Sequence, residues 1–501
     1  MSENTPSTDL DLLRRRTAAV MAHMDPIVVE LGEVFAAAGH ELAIVGGPVR
    51  DALLGRVSHD LDFTTSASPD ETQALLAKWG DAHWDIGKEF GTIGAKKFAK
   101  GDTAEAVVEV TTYRSDEYDP ASRKPVVAFG DNIEGDLSRR DFTVNAMAIR
   151  LPQREFVDPF GGLEDLAAGV LRTPIAPEKS FDDDPLRMMR AARFAGQLGF
   201  DVEESAFAAM VAMADRIEIV SAERVHDELN KLMVSADPVR GLGVLVDSGL
   251  AARVIPEVPG MKEATDEHKR HKDVYSHSLT VLQQAIDLET GPDGAVPGPD
   301  LVLRLAALLH DIGKPATRKF EANGSVSFHH HELVGAKMAA KRMRALKYDK
   351  ETIKAVSRLI ELHLRFHGYG EGAWTDSAVR RYVTDAGPLL ERLHRLTRAD
   401  CTTRNKAKAR KLSGAYDSLE ERIEVLAKEE ELAAIRPDLD GEQIMSILGI
   451  KPGRAVGGAY KFLMELRLDE GPLGEDAARE RLLAWWGEHA GEFEGTRTYE
   501  N

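Results

Sequence analysis

The periodicity of this chain changes character once, and that change limits its architecture more than any other feature. Between Glu41 and about Arg172, short β-like runs (LAIVG, AVVEVTTY, NAMAIRL) alternate with helical stretches, the pattern of an α/β or α+β domain. From Pro185 onward the apolar residues recur at helical spacing and β-branched runs become rare. The 501 residues exceed what a single hydrophobic core supports. The expected fold is therefore α+β and multidomain, an α/β head followed by helical domains. GPDGAVPGPD at 291–300 reads as a turn-rich loop within the helical part, and the charged stretch near 408–435 as one long amphipathic helix.

Composition removes whole classes of function. No apolar run approaches the roughly 20 residues that span a bilayer, so no membrane segment is expected. The first twenty residues lack the apolar stretch of a secretory signal. A single cysteine, Cys401, excludes an internal disulfide framework and suits a reducing cytoplasm. The net charge of −19 opposes nucleic-acid binding when taken globally. Affinity for phosphates depends on local cations, however, so charge has to be read by segment.

The segment IVGGPVRDALLGRVSHDLDFTT carries Gly46-Gly47, Arg50-Asp51 and then Asp60-Leu61-Asp62. Aspartates at i and i+2 of a strand share a face because side chains alternate with period two. Two carboxylates on one face repel unless a cation lies between them, and all-oxygen ligation suits Mg²⁺. A strand entering a glycine turn and then a helix lets backbone amides approach a triphosphate. A further strand, VVEVTTYR, offers Glu109 as a third acidic ligand. These parts suit two-metal phosphoryl transfer.

The whole string resembles the nucleotidyltransferase superfamily, and within it the class II CCA-adding enzymes and bacterial poly(A) polymerases. The resemblance continues in the family's order. Ser138 to Ala146 (SRRDFTVNA) is similar to the ribose-recognition motif, which implies roles for Arg140, Asp141 and Asn145. Asp158 to Gly162 (DPFGG) is similar to the flexible turn between head and neck. Asp183 to Arg193 (DDPLRMMRAAR) is similar to the base-recognition helix, although the family usually begins it with Glu-Asp. The resemblance implies nucleotide contacts from Gly46, Gly47, Arg50, Arg140, Asp141, Asn145, Asp184, Arg187 and Arg190. It also implies Mg²⁺ on Asp60 and Asp62, with Glu109 the third catalytic carboxylate.

Asp184 and Arg187 lie three apart and are expected on one side of a helix. A carboxylate accepts from an exocyclic amine, and a guanidinium donates to a ring nitrogen. Cytosine and adenine both present that pair; uracil and guanine reverse it. A mispaired buried polar group costs about 1–3 kcal/mol, enough to reject UTP and GTP. The plainer alternative is that Asp184 caps a helix whose first turn holds Pro185.

Farther along stand His277, then His310-Asp311 in LRLAALLHDIGKP, then His329, His330 and His331, then His363 and His367, and finally Asp400. This series resembles the HD superfamily of metal-dependent phosphohydrolases. The implied ligand set is His277, His310, Asp311 and Asp400, around a divalent transition metal; His331 and His363 match the additional ligands of two-metal members. His329, His330 and His367 read as surface residues. The alternative is an HD fold that keeps its helices without its metal.

The family resemblance implies five segments: a tail at 1–24, the nucleotidyltransferase head at 25–172, a helical neck at 173–265, the HD domain at 266–402 and an RNA-binding helical tail at 403–501. It implies a cytoplasmic enzyme that adds CMP, CMP and AMP to a tRNA 3′ end from CTP and ATP. Basic clusters that would meet tRNA are Arg187, Arg190 and Arg193, Lys269 to Lys272, and TTRNKAKARKL at 402–412. Poly(A) polymerase is the neighbouring reading; IGKEFGTIGAKKF stands where those enzymes tend to carry a basic GRRF-like stretch. Addition of CC or A alone, or an HD phosphohydrolase with an RNA-binding head, are the other readings.

Overall fold

The computed structural model describes residues 8–56, 60–85, 87–99, 105–117, 126–130, 132–264, 273–322, 326–366, 375–402, 405–430 and 435–493. The side chains of Asp60, 115–117 and 126–129, together with His367, 269–272 and 403–404, lie outside the described residues. The chain forms two compact units, 1–259 and 260–501.

In the first unit, α1 (Leu10–Ala22) falls where a tail is expected. It is folded onto the unit: Leu13 is fully buried and Arg16 donates to the Leu53 carbonyl. After α2 (Pro26–Ala37) the sheet begins with β1 (Leu42–Val45), whose four apolar residues are all buried, as befits a central strand. The turn at Gly46 leads into α3 (Gly47–Leu53), and β2 (Asp60–Thr65) follows. Next come α4 (Pro69–Trp79), started by a reciprocal Ser68–Glu71 capping box, then β3 (Ala82–Trp84), β4 (Thr92–Lys97) and β5 (Ala106–Thr112). A hairpin of β6 (Arg114–Glu117) and β7 (Val126–Phe129) precedes α5 (Ile133–Ser138), β8 (Ala148–Leu151) and β9 (Glu155–Val157). The seven-stranded sheet has the order β3-β4-β5-β2-β1-β8-β9. Among the described residues of this sheet only β2 and β5 pair in parallel, with Asp62 directly opposite Glu109.

Helices take over from α6 (Gly162–Ala168) and α7 (Pro177–Asp183). The central neck helix is α8 (Leu186–Leu198), whose apolar stripe is buried against α10 (Ala222–Met233) and α11 (Pro238–Asp247). The 9-residue α9 (Glu204–Ala212) and the short α12 (Ala251–Val254) and α13 (Glu257–Gly260) complete the neck. The DPFGG turn is firmly tied: the two Asp158 carboxylate oxygens accept the Gly162 and Leu163 amides at 2.7 and 2.9 Å and cap α6.

The second unit is helical: α14 (Val274–Asp287), α15 (Leu301–Leu309), α16 (Lys314–Thr317), α17 (His331–Ala345), α18 (Lys350–Leu362), α19 (Asp376–Ala386) and α20 (Leu390–Ala399). The expected long helix is α21 (Lys406–Glu430). It is followed by α22 (Gly441–Leu448), α23 (Arg454–Glu470) and α24 (Glu475–His489) around a small core of Leu439, Ile444, Leu463 and Leu482. No described helix is long and apolar enough to cross a membrane.

Candidate functional site

In the first unit one cavity of about 390 Å³ gathers residues that are far apart in sequence. The glycine turn forms one wall. Gly46 has φ 74°, a left-handed conformation that favours glycine, and a Cβ there would stand 2.9 Å from the Arg140 guanidinium. Asp62 enters from the exposed face of β2, while Arg140, Asp141 and Asn145 come from the segment before β8. Asp184, Arg187, Arg190, Arg193, Phe194 and Gln197 line the neck side. Glu109 faces outward on β5, directly opposite Asp62 in the β2–β5 register. Asp60 lies in β2 two residues before Asp62.

A polar chain ties these motifs together. Arg50, itself buried, grips Asp51 with Nε and Nη2 at 2.9 Å and donates from Nη1 to the Asn145 side-chain oxygen at 2.6 Å. The Asn145 amide donates to Asp141 at 3.0 Å, and the other Asp141 oxygen accepts Arg190 at 2.6–2.7 Å. Burial alone would raise the Asp141 carboxyl; Arg190 and the hydrogen bonds outweigh it and hold the group down at about 2. Arg193 pairs with Glu228 at 2.6 Å and stacks over Phe194 at 4.0 Å. Arg190 and Arg193, expected among the open cations for tRNA, are thus largely neutralised within the protein.

The joint before α8 departs from the sequence expectation. Asp184 and Arg187 do not share a helical face, because Asp184 is extended (φ −145°, ψ 98°) and the helix starts at Leu186. Pro185 explains this, since a residue preceding proline is driven out of the helical region. Asp184 does accept the Leu186 amide at 3.2 Å, the capping role weighed as the alternative, and its second oxygen accepts Arg224 at 2.9 Å. Arg187 donates to the Ser180 carbonyl and hydroxyl and to the Arg139 carbonyl. At least two of its five N–H donors remain, as do further lone pairs on Asp184, and both residues line the cavity.

The second unit holds a buried histidine–aspartate centre. His277, His310 and Asp400 form one group, and Asp311, His331 and His363 form another; within each group the candidate ligand atoms lie within 4.8 Å of one another. Asp311 reaches both: one oxygen is 3.1 Å from His310 Nε2 and the other 3.2 Å from His331 Nε2. His277 Nε2 is 2.9 Å from Asp400. His310, His331 and His363 each anchor Nδ1 on a backbone carbonyl three residues back, at 2.9, 2.8 and 2.6 Å. That contact places the proton on Nδ1 and turns the Nε2 lone pair inward. All three Nε2 atoms are buried and face the Asp311 and Asp400 carboxylates at 3.1–3.9 Å without a well-aligned hydrogen bond. Such orphaned, converging lone pairs fit a cation, whose ligands at about 2.1 Å would stand roughly 3 Å apart.

With no cation between them, the histidines and carboxylates of this centre compensate one another. Burial works against charge on His310, but Asp311 and Asp400 outweigh it and hold its imidazole above the usual range. Burial pushes His363 down to about 3. Asp311 and Asp400 stay ionised far below the normal carboxylate range, because His310 and its neighbours overcome their desolvation. Lys314 adds an ion pair to Asp311 at 2.9 Å. The cavity over this centre measures about 650 Å³, and Lys408 of the basic 402–412 stretch lines it beside His329 and His330.

Sequence reasoning missed Phe194, Arg224, Glu228 and Lys314. Lys314 was within reach, three residues after Asp311 in the same run. Arg224 carried no signal, because its partner Asp184 is 40 residues away.

Three family models match the chain in order: the poly A polymerase head domain over 42–172, a probable RNA and SrmB-binding site of polymerase A over 199–261, and the HD domain over 274–405. An A-adding tRNA nucleotidyltransferase of Deinococcus radiodurans is 34% identical over 453 residues, covering 89% of this chain and 95% of the relative. A CCA-adding enzyme of Streptococcus suis is 39% identical over 236 residues, 46% of this chain and 55% of that enzyme, so this match spans about half of the streptococcal protein. Among solved structures, the Bacillus stearothermophilus CCA-adding enzyme in complex with CTP superposes with a TM-score of 0.64 at 23% identity, over 94% of this chain and all of that one. The Thermotoga maritima CCA-adding enzyme complexed with tRNA gives 0.58 at 20% identity, over 95% and 98%. These two show the shared fold. The chain belongs to the CCA-adding enzyme and poly(A) polymerase family of nucleotidyltransferases, with an HD domain in its second half.

Proposed function

We propose that the chain is a template-independent cytoplasmic tRNA nucleotidyltransferase that adds CMP, CMP and AMP to the tRNA 3′ end from CTP and ATP. The observation that carries this reading is the single cavity where Asp62, the Gly46-Gly47 turn and the Asp184–Arg187 pair converge. The tRNA 3′-hydroxyl gives up its proton to solvent, its oxygen bonds to the α-phosphorus, the bond from the α-phosphorus to the oxygen bridging to the β-phosphate breaks, and pyrophosphate leaves. Asp60 and Asp62, with Glu109 beside them, would hold Mg²⁺, which when bound supplies activation of the hydroxyl and charge for the departing pyrophosphate. The glycine turn leaves room for the triphosphate, and Arg140 faces it. Asp184 accepts the exocyclic amine of cytosine or adenine while Arg187 donates to the ring nitrogen. Their existing bonds to Arg224, Ser180 and Arg139 hold both side chains in place for that task.

A second reading, addition of A alone, is favoured by the near-full-length similarity to an A-adding enzyme. Extension of tRNAs ending before the first C, after one C and after two C residues separates them. CTP alone should give two additions on the shortest substrate; incorporation only of AMP, and only after CC, would establish the narrower activity. Repeated AMP addition without CTP would instead identify a poly(A) polymerase. Asp62→Ala should abolish every addition.

The second unit is proposed to be a phosphohydrolase centre whose ligands are His277, His310, Asp311 and Asp400, with His331 and His363 completing a second position. A divalent transition metal bound there supplies a hydroxide at neutral pH. In hydrolysis of a 2′,3′-cyclic ester, the water oxygen bonds to phosphorus, one ester P–O bond breaks, and the leaving oxygen takes the proton. His310→Ala should remove this hydrolysis and leave CCA addition intact. Failure of the unaltered protein to hydrolyse the ester with any divalent metal would refute the assignment.

A further inference from the structure

Side chains directly opposite one another on paired strands point to the same face of a sheet. The pairings Asp62–Glu109, Glu109–Gly94 and Gly94–Trp84 therefore align four residues in one row across β2, β5, β4 and the edge strand β3. The row lies on the outer face, because Glu109 is exposed between buried Val108 and Val110. Neighbouring strands are about 4.8 Å apart, so Gly94 stands one strand from Glu109. Gly94 has no side chain, and the Trp84 indole takes that space. A Cβ at position 94 would overlap Cε2, Nε1 and Cζ2 of the ring. The indole thus reaches from β3 over β4 in the direction of Glu109, and it is still partly exposed.

The plain reading is an aromatic ring that covers a glycine on the neighbouring strand. The chemistry beside it supports more. In-line displacement puts the attacking hydroxyl and the departing pyrophosphate on opposite sides of the α-phosphorus. Asp62 is among the described residues lining the cavity that holds the glycine turn and the Asp184–Arg187 pair, and Glu109 is not. The hydroxyl then enters from the Glu109 side. A smaller cavity, of about 230 Å³, opens on that side. Thr111, two residues after Glu109 and on the same face, lines it with Arg114, Arg139 and Arg140 around Asp136. Arg114 also donates to Thr92 Oγ1 at 3.0 Å, on β4 two residues before Gly94. Three guanidiniums around one carboxylate suit a phosphate, and a partly exposed indole next to them suits a nucleobase.

We propose that Trp84 binds the acceptor: its indole stacks on the terminal base of the strand whose 3′-hydroxyl attacks, and the Arg114–Arg139–Arg140 cavity takes the phosphate of that nucleotide. The proposal rests on the reading of this site as a nucleotidyltransferase. The test uses the full-length protein and a shortened tRNA whose 3′-terminal nucleotide is either intact or abasic. Trp84→Ala should raise KM for the intact acceptor about tenfold and leave KM for the nucleoside triphosphate unchanged. Removing the terminal base should cost the unaltered protein a similar factor and cost Trp84→Ala nothing further. Trp84→Phe, which keeps an aromatic face, should retain most of the acceptor affinity, whereas Trp84→Leu, which keeps bulk over Gly94, should lose it. That comparison decides the matter even where Trp84→Ala does not fold. Equal losses on base removal in the unaltered and Trp84→Ala proteins would overturn the proposal and leave the ring as a cover for Gly94. A raised KM for the triphosphate alone would give the stack to the incoming base, and would also overturn it. No extension of any acceptor by the unaltered protein would overturn it through the transferase reading itself, a result distinct from extension that ignores the terminal base.

Discussion

At the scale of single residues, the Asp141–Arg190 ion pair joins the segment before β8 to the neck helix α8. Asp141 is nearly buried and its carboxyl is lowered from 3.8 to about 2. A carboxyl depressed in the folded state contributes stability that is complete above its unfolded pKa and is lost as pH falls through the folded value. The window is therefore between about pH 4 and pH 2. Because Arg190 is 36% exposed, solvent screening reduces the contribution to roughly 1–2 kcal/mol. Urea unfolding of Asp141→Asn at pH 6 and pH 3 should show a stability loss at pH 6 that shrinks at pH 3. An equal loss at both values would mean that the pair acts through shape alone. Asp141 and Asn145 were legible as a motif, but their partners Arg50 and Arg190 lie 95 and 49 residues away, beyond any local periodicity.

Between elements, one close approach in the helical half bears directly on the HD centre. A Cβ on Gly313 would stand 2.2 Å from the His331 carbonyl oxygen and 2.7 Å from the Gly335 nitrogen, so the turn after His310-Asp311 carries the start of α17 directly against itself. Gly313→Ala should displace that start and with it His331, costing about 1–3 kcal/mol and lowering divalent-metal affinity at least about tenfold. Calorimetric titration with Mn²⁺, alongside a denaturant melt, checks both. Metal affinity retained at a lowered stability would place His331 outside the ligand set. The helices themselves were readable from apolar spacing. Their pressing together at Gly313, like the extended Asp184 before α8, depends on neighbours brought in by the fold.

For the whole molecule, the ligands proposed for the two units differ. A metal bound at 100 times its Kd stabilises the folded state by about 2.7 kcal/mol, or roughly 5–10 °C for a unit of this size. Scanning calorimetry should show the transition of 260–501 falling on metal removal, and the His310→Ala protein should show no such fall. A shift of equal size in that variant would mean that metal acts elsewhere. The net charge of −19, which globally opposed RNA binding, is not uniform: among the described residues Lys337, Arg344, Lys347, Lys350 and Lys354 at the α17–α18 rim form no ion pair. Charge at the scale of the chain was the wrong scale for that question.

The sequence by itself determined the chemistry that local geometry can specify. Period-two spacing put Asp60 and Asp62 on one strand, a glycine pair marked a turn, and an adjacent His-Asp closed an apolar helix. It also determined the order of the domains, because each motif is continuous in the chain. Only the tertiary structure decided which charges stay available. Arg190 and Arg193 are neutralised by Asp141 and Glu228, Arg187 is tethered to Ser180, and among the described residues Lys337, Arg344, Lys347, Lys350 and Lys354 form no ion pair. The reason is physical: an ion pair depends on distance through space, and its partners come from stretches of chain whose separation no local pattern encodes.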